Sequence, residues 1–316
     1  MARKTLTAVA IGAASVLALS GCAGDATATD DGTLQVVAST SVYGQIAEEI
    51  GGDAVEVTSI VSSLSQDPHS YEASARDQLT IQRADLILEN GGGYDAFIDG
   101  LIEATGSEAP VLTAVEFSQE WSGDAAHDDS GEHDDHDHEH VEGFNEHVWY
   151  DPRTVVHVAE AIAAELTELS PDDGAVFEAN LADFTAQIEQ LEAELAEVAT
   201  AHGGDGVFVT EPAPVSLITA AGLTDLTPAA FSQAVEEGQD VPPATLLQAL
   251  DVIASGDARV VIANAQTGGA ETTQTIDAAE TAGIEVVEFT ETLPDGTTYI
   301  EWMQDNIRAL ATALDS

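Results

Sequence analysis

Residues 170–204 read SPDDGAVFEANLADFTAQIEQLEAELAEVATAHGG, and this stretch decides the architecture. Ser170 offers an N-cap, Pro171 suits the first helical position, and Asp172 and Asp173 put acids in the first turn. Apolar side chains then recur at Phe177, Leu181, Phe184, Ile188, Leu191, Leu195 and Val198, alternately four and three residues apart. That spacing predicts one long helix with a narrow apolar stripe over residues 171–201, closed by His202-Gly203-Gly204. Such a stripe serves either as a rigid spine within one chain or as the seam of a coiled-coil dimer. A stripe of this length can pack on its own flanking sheets, and coiled coils usually need more heptads. The spine, in a monomeric protein, is therefore the expectation.

On either side of the spine, short β-branched runs alternate with helical patterns. LQVVAST (34–40), VEVTSIV (55–61), ADLILEN (84–90) and APVLTAV (109–115) precede it, and GVFVTE (206–211), ARVVIANA (258–265) and IEVVEFT (284–290) follow it. Strands separated by helices imply βαβ units and parallel sheets. The expected fold is α/β, with an N-terminal lobe over 33–170, the linking helix over 171–201 and a C-terminal lobe over 202–316.

The 316 residues carry 58 acidic against 7 basic side chains, a formal charge of −51. No basic surface can be assembled from these, which excludes a general nucleic-acid binder and docking on anionic lipid through charge. A single cysteine among the 316 residues excludes an intrachain disulfide and a cysteine-based zinc cluster. Any metal chemistry must use His, Asp and Glu.

That cysteine ends MARKTLTAVAIGAASVLALSGC (1–22), in which a basic start and an apolar run read as a secretory signal too short for a permanent span. Leu19-Ser20-Gly21-Cys22 resembles the bacterial lipobox, so residues 1–21 are expected to be removed and Cys22 to become the acylated first residue. Residues 23–32, AGDATATDDG, then form a flexible tether. The implied location is the outer face of the cytoplasmic membrane, held there by lipid.

Candidate ligands stand beyond the strands. His69 lies in DPHSYE (67–72) after the run 55–61, His147 lies in EHVWYDP (146–152), and Glu211 and Glu291 directly follow two C-terminal runs. In open parallel sheets, ligands bind outside the carboxyl ends of strands. Each residue alone has an ordinary role open to it, as a packed or surface histidine or as a helix-capping acid. Two imidazoles and two carboxylates can together hold a borderline divalent ion, but spacing does not bring them together.

The ordered set DPHSYE, EHVWYDP, VTEP (209–212) and FTETLPDGTTYIEWM (289–303) resembles the cluster A-I family of metal-binding lipoproteins. These are the zinc- and manganese-specific substrate-binding components of bacterial ABC importers. The resemblance runs from Thr33 to the C-terminus. It implies two α/β lobes joined by one rigid helix, metal in the interlobe cleft, and as partners a membrane permease and its cytoplasmic ATPase. By position in those motifs it assigns the ligands His69, His147, Glu211 and Glu291. The third position is His or Glu in the family, while the fourth is usually Asp, so Glu291 departs by one methylene.

Residues 127–140, HDDSGEHDDHDHEH, place His127, His133, His136, His138 and His140 among acids in a low-complexity stretch within 124–143. The composition predicts a solvated loop, either a plain charged insert or a weak accessory metal collector. In related proteins such loops accompany zinc transport, which favours Zn2+, whereas Glu211 in place of His favours Mn2+; zinc is the expected cargo and manganese the alternative. His157 and His202 read as surface residues. A secreted zinc hydrolase is a more distant reading, with no HExxH pair or serine nucleophile elbow to support it. A surface adhesin role is compatible with metal capture.

Overall fold

The computed structural model describes residues 32–122 and 143–316. Cys22, the signal and tether before Gly32, and the tract holding His127, His133, His136, His138 and His140 lie outside the described residues. The apolar runs become strands β1 (Leu34–Thr40), β2 (Val55–Val61), β3 (Leu86–Glu89), β4 (Val111–Thr113), β5 (Gly206–Val209), β7 (Ala258–Asn264) and β8 (Glu285–Phe289). The strand β6 (Thr224–Asp225) has no counterpart in the sequence reading, because its two residues carry no alternation and are exposed.

Two four-stranded parallel sheets result, ordered β2-β1-β3-β4 and β6-β5-β7-β8. Both sheets share one connectivity, so each has its carboxyl-end crevice beside the first strand of its lobe. The helices α1 (Ser41–Gly51), α2 (Ala75–Ile81), α3 (Phe97–Thr105) and α4 (Pro152–Leu169) belong to the first half. After α5 (Gly174–His202) come α6 (Val215–Ala220), α7 (Ala229–Glu236), α8 (Pro243–Ser255), α9 (Ala270–Ala282) and α10 (Tyr299–Leu314). No helix among the described residues is long and apolar enough to cross a membrane.

The long helix begins three residues later than expected. Ser170 does not cap it: the Ser170 hydroxyl donates to Asp173 Oδ2 at 2.6 Å and the Asp173 amide to the Ser170 carbonyl at 3.1 Å, closing a turn over 170–173. The helix starts at Gly174 and its boundary residue Asp173 makes no side-chain cap bond. Of the stripe, Phe177, Phe184, Ile188, Leu191, Leu195 and Val198 are buried, and Leu181 is partly so. The stripe packs chiefly on α1, α4, α6 and α10 and not directly on the sheets, because those helices already cover the sheet faces. One core cluster therefore runs from Val36 and Leu88 of the first sheet through the stripe to Val207 and Ile262 of the second.

Burial of this stripe is what holds α5 as a single rod. Phe184 is 1% exposed and meets Tyr299 of α10 at 6.1 Å between ring centres. Phe184→Ala should cost about 3–5 kcal/mol, the usual range for emptying a buried phenylalanine site. Urea unfolding would register this as a lower midpoint at unchanged slope; a shift below about 1 kcal/mol would mean that the stripe is not a packed core.

The lobes are also stitched by hydrogen bonds across the chain. The Tyr299 amide donates to Gln45 Oε1 at 2.7 Å, the Leu293 amide to Ser41 Oγ at 3.1 Å and the Tyr299 hydroxyl to the Trp149 carbonyl at 2.7 Å. His157 is exposed as expected, paired with Glu160 at 3.0 Å. His202 is more enclosed than a plain surface residue: its side chain is 15% exposed, with Nδ1 3.4 Å from Asp205 and Nε2 3.3 Å from Asp315. The close of α5 brings it against the end of α10, a contact that no local pattern reveals.

Candidate metal centre

Each candidate side chain is delivered by a loop at a strand's carboxyl end. After β2, Asp67 folds the chain back on itself: its Oδ1 accepts the His69 amide at 2.9 Å and its Oδ2 the Ser70 hydroxyl at 2.8 Å. This Asx turn projects the His69 ring. After β3, Asn90-Gly91-Gly92-Gly93-Tyr94 turns through three positive φ values of 77°, 68° and 96°. A Cβ on Gly91 would meet Thr113 at 2.4 Å, so glycine is required there twice over. Asp95 closes the turn by accepting the Asn90 and Gly91 amides at 2.6 and 2.8 Å.

Tyr94 is thereby set edge-on to His69 at 4.8 Å between ring centres, and 5.6 Å from His147. Trp149 stands 5.1 Å from the His147 ring on another side. The aromatic rings pack against both imidazoles, of which His69 is partly buried. His147 is 1% exposed.

Hydrogen bonds set its tautomer. The Asn145 side-chain amide donates to the Pro212 carbonyl at 2.9 Å, and a carbonyl can only accept, so Oδ1 is the atom that faces His147. His147 Nδ1 lies 2.8 Å from that oxygen and must carry the proton. Nε2 is left with its lone pair, the usual arrangement of a metal-binding imidazole.

From the second lobe, Glu211 follows β5 and Glu291 follows β8, buried at 3% and 2% exposure. The Asn264 amide, at the end of β7, bridges Glu211 Oε2 and Glu291 Oε1, and the Thr267 hydroxyl donates to Glu211 Oε1. Gln266 accepts the amides of Glu291 and Thr292 at 2.6 and 3.0 Å while donating across the cleft to the Gln66 carbonyl at 3.1 Å. One glutamine side chain thus ties the loop of His69 to the loop of Glu291.

The donor atoms of His69, His147 and Glu291 lie within 4.8 Å of one another. Glu211 stands outside that close set, linked to Glu291 by the two hydrogen bonds of the Asn264 amide. The position that departs from the family pattern is therefore the one brought into closest company with the imidazoles. A second set within the same distance joins His69 to Glu146 and Glu236. Neither glutamate was singled out in the sequence. Glu146 was visible only as the neighbour of His147, and Glu236 ends a short helix where an acid reads as solvated charge. Asn264 and Gln266 were likewise missed, although polar residues at the carboxyl end of an apolar strand were a usable signal.

Concentrated acids in a dry cleft hold protons tightly. Burial pushes Glu291 up to about 8, helped by Glu211 and Asp67 and opposed by hydrogen bonds from Asn264 and Tyr94. Glu236 rises to about 9 through burial and the charges of Glu146, Glu211 and Glu291. Glu211 is raised by burial, with Thr267 and Asn264 working against the rise. A divalent cation supplies the charge that these groups lack, so its arrival displaces protons.

Residues 36–313 match the family described as zinc-uptake complex component A, periplasmic. The manganese ABC transporter substrate-binding lipoprotein PsaA of Streptococcus anginosus is 32% identical over 190 residues, spanning 58% of this chain and 57% of that protein. The high-affinity zinc uptake system protein ZnuA of Yersinia pestis is 29% identical over 188 residues, spanning 55% of this chain and 58% of that protein. The matched stretch thus spans little more than half the length of these relatives. The periplasmic zinc binding protein TroA from Treponema pallidum shares the fold, with a TM-score of 0.72 and 19% identity over 90% of this chain and 99% of that one.

Proposed function

The chain belongs to the family of periplasmic zinc-uptake complex component A proteins, and from that premise we propose that it captures Zn2+ outside the cytoplasmic membrane for an ABC importer. The ligands are His69, His147, Glu211 and Glu291, and the recipients are a membrane permease and its cytoplasmic ATPase. One observation carries the reading: two imidazoles from the first lobe and a carboxylate from the second present donor atoms within 4.8 Å of one another. Two nitrogens and two oxygens suit a four-coordinate borderline ion. Glu211 completes the set by turning about its bond to Asn264. The activity is binding and release, not turnover.

Lipid on Cys22 tethers a monomer to the membrane, and the histidines from His127 to His140 collect zinc weakly. The second reading is Mn2+, favoured by a glutamate, Glu211, at the third ligand position and by the manganese transporter named among the relatives. Affinity alone does not separate the two, since zinc binds more tightly than manganese to nearly any such site.

The test is a competitive titration of Zn2+ and Mn2+ on the full chain and on chains lacking 124–143, beside Glu211→Ala and Glu291→Ala. Metal content of the protein isolated from metal-replete cells accompanies it. One tight zinc ion per shortened chain, weakened by either substitution, is the expected result. Loss of all tight binding with the tract would put the site in the tract instead. Manganese as the ion retained in cells would select the second reading.

A further inference from the structure

His69 belongs to two donor sets, one with His147 and Glu291 and one with Glu146 and Glu236. The sets differ in exposure at one member. His147, Glu291 and Glu146 are 1%, 2% and 3% exposed, whereas Glu236 is only partly buried as a residue, keeps 9% of its side chain open and so forms the outward edge of its set. Glu236 also has an oxygen in need of a partner: Oε1 is buried and accepts no hydrogen bond. It stands 3.7 Å from His147 Nδ1, beyond hydrogen-bonding range, and that proton is already directed at Asn145. A buried carboxylate oxygen with no donor beside two imidazoles is costly unless a cation visits it.

We infer that Glu146 and Glu236 hold an arriving divalent cation with His69 at an outer position, from which it passes to His147 and Glu291. The inference deepens the metal-capture reading above and rests on it. Because His69 is common to both sets, the ion changes partners without leaving protein ligands, and the bare ion never crosses the dry part of the cleft. An outer stop lowers the barrier in both directions and leaves the final bound state alone. Glu236 and Glu146 therefore govern how fast the ion enters and leaves, not how tightly it is held.

Stopped-flow measurements on the full chain test this, with Zn2+ capture read against a fluorescent chelator and release read into excess chelator. The cleft phase is the one that His147→Ala removes. Glu236→Gln and, independently, Glu146→Gln should slow that phase about tenfold in both directions with the dissociation constant unchanged, because an amide cannot replace a carboxylate as a stopping point for the ion. Glu237→Gln makes the same replacement at an exposed neighbour and should change neither rate. Unaltered rates in both glutamine variants, or a change confined to capture or to release, would overturn the outer position. If His147→Ala removes no phase, the capture reading fails and takes this inference with it.

Discussion

Replacing His147 by alanine is expected to lower the affinity of the cleft for zinc by about a thousandfold, or ~4 kcal/mol at 1.4 kcal/mol per factor of ten. The loss is large because His147 is held in the one tautomer that offers Nε2 to an ion, by Asn145 at 2.8 Å, in a pocket walled by Tyr94 and Trp149. The orientation is set before the ion arrives, so binding need not order the ring. Asn145→Ala keeps the imidazole and removes only its anchor. It should cost about 10- to 100-fold, as expected of a group that orients a ligand. Both are read by chelator competition on the shortened chain, and the wild-type affinity should fall as pH drops below about 8, where Glu291 takes up a proton, and further where the imidazoles do so. Full affinity in His147→Ala, or at pH 5, would remove His147 from the site.

Between pH 5 and pH 8 the metal-free protein should become less stable, the reverse of ordinary acid denaturation, with Glu291 and Glu89 together accounting for about 5 kcal/mol and Glu236, raised to about 9, adding in the same direction. Glu291 is pushed to about 8 by burial, Glu211 and Asp67, and Glu89 to about 8 chiefly by burial with Asp95 adding and the Thr113 hydroxyl opposing. Both start from a reference value of 4.5. Across that window the folded state keeps protons that the unfolded chain has released. The unfolded state binds fewer, so the stabilisation is complete below 4.5 and is lost as pH rises through about 8. Each tenfold difference in proton affinity between the folded and unfolded chain is worth roughly 1.4 kcal/mol per group. Two groups across this window would give about 8 kcal/mol in a rigid cleft, and relaxation with water entry around the ionising carboxyls brings that down to about 5 kcal/mol.

Melting curves at several pH values separate the two groups. Glu89→Gln and Glu291→Gln should each flatten part of the slope. Saturating zinc should erase the part due to Glu291, since the ion replaces its proton, and leave the part due to Glu89, which stands apart from the donor sets. Zinc at a hundred times its dissociation constant should add about 2.7 kcal/mol besides. A metal-free protein equally stable at pH 5 and pH 8 would mean that these carboxyls are not held protonated.

The elements that were legible in the sequence are those whose signal is local. The stripe from Phe177 to Val198 declared α5 because a helix brings every third and fourth residue to one face, and seven apolar runs declared their strands for the same kind of reason. Where short-range bonds compete, the local reading slipped: Ser170 turned inward to Asp173 and delayed the helix to Gly174. The pairing of His202 with Asp205 and Asp315 depended on where α10 ends in space.

The candidate ligands divide the same way. Sequence order and motif resemblance were enough to nominate all four, since His69, Glu211 and Glu291 each follow a strand whose carboxyl end must face a crevice and His147 sits in the EHVWYDP motif. Which of them stand together was decided by the packing of helices from both lobes on α5 and by two amides. Asn264 holds Glu211 and Glu291 as a pair, and Gln266 draws the loop of Glu291 toward that of His69. The sequence by itself thus determined the strands and the spine, because periodicity is a property of short segments, and its motifs nominated the candidate ligands by resemblance. The tertiary structure alone decided the depth of Glu291, the place of Glu211 behind Asn264 and the presence of Glu146 and Glu236 beside His69, because those distances join residues up to 222 positions apart that only the assembled core brings within reach.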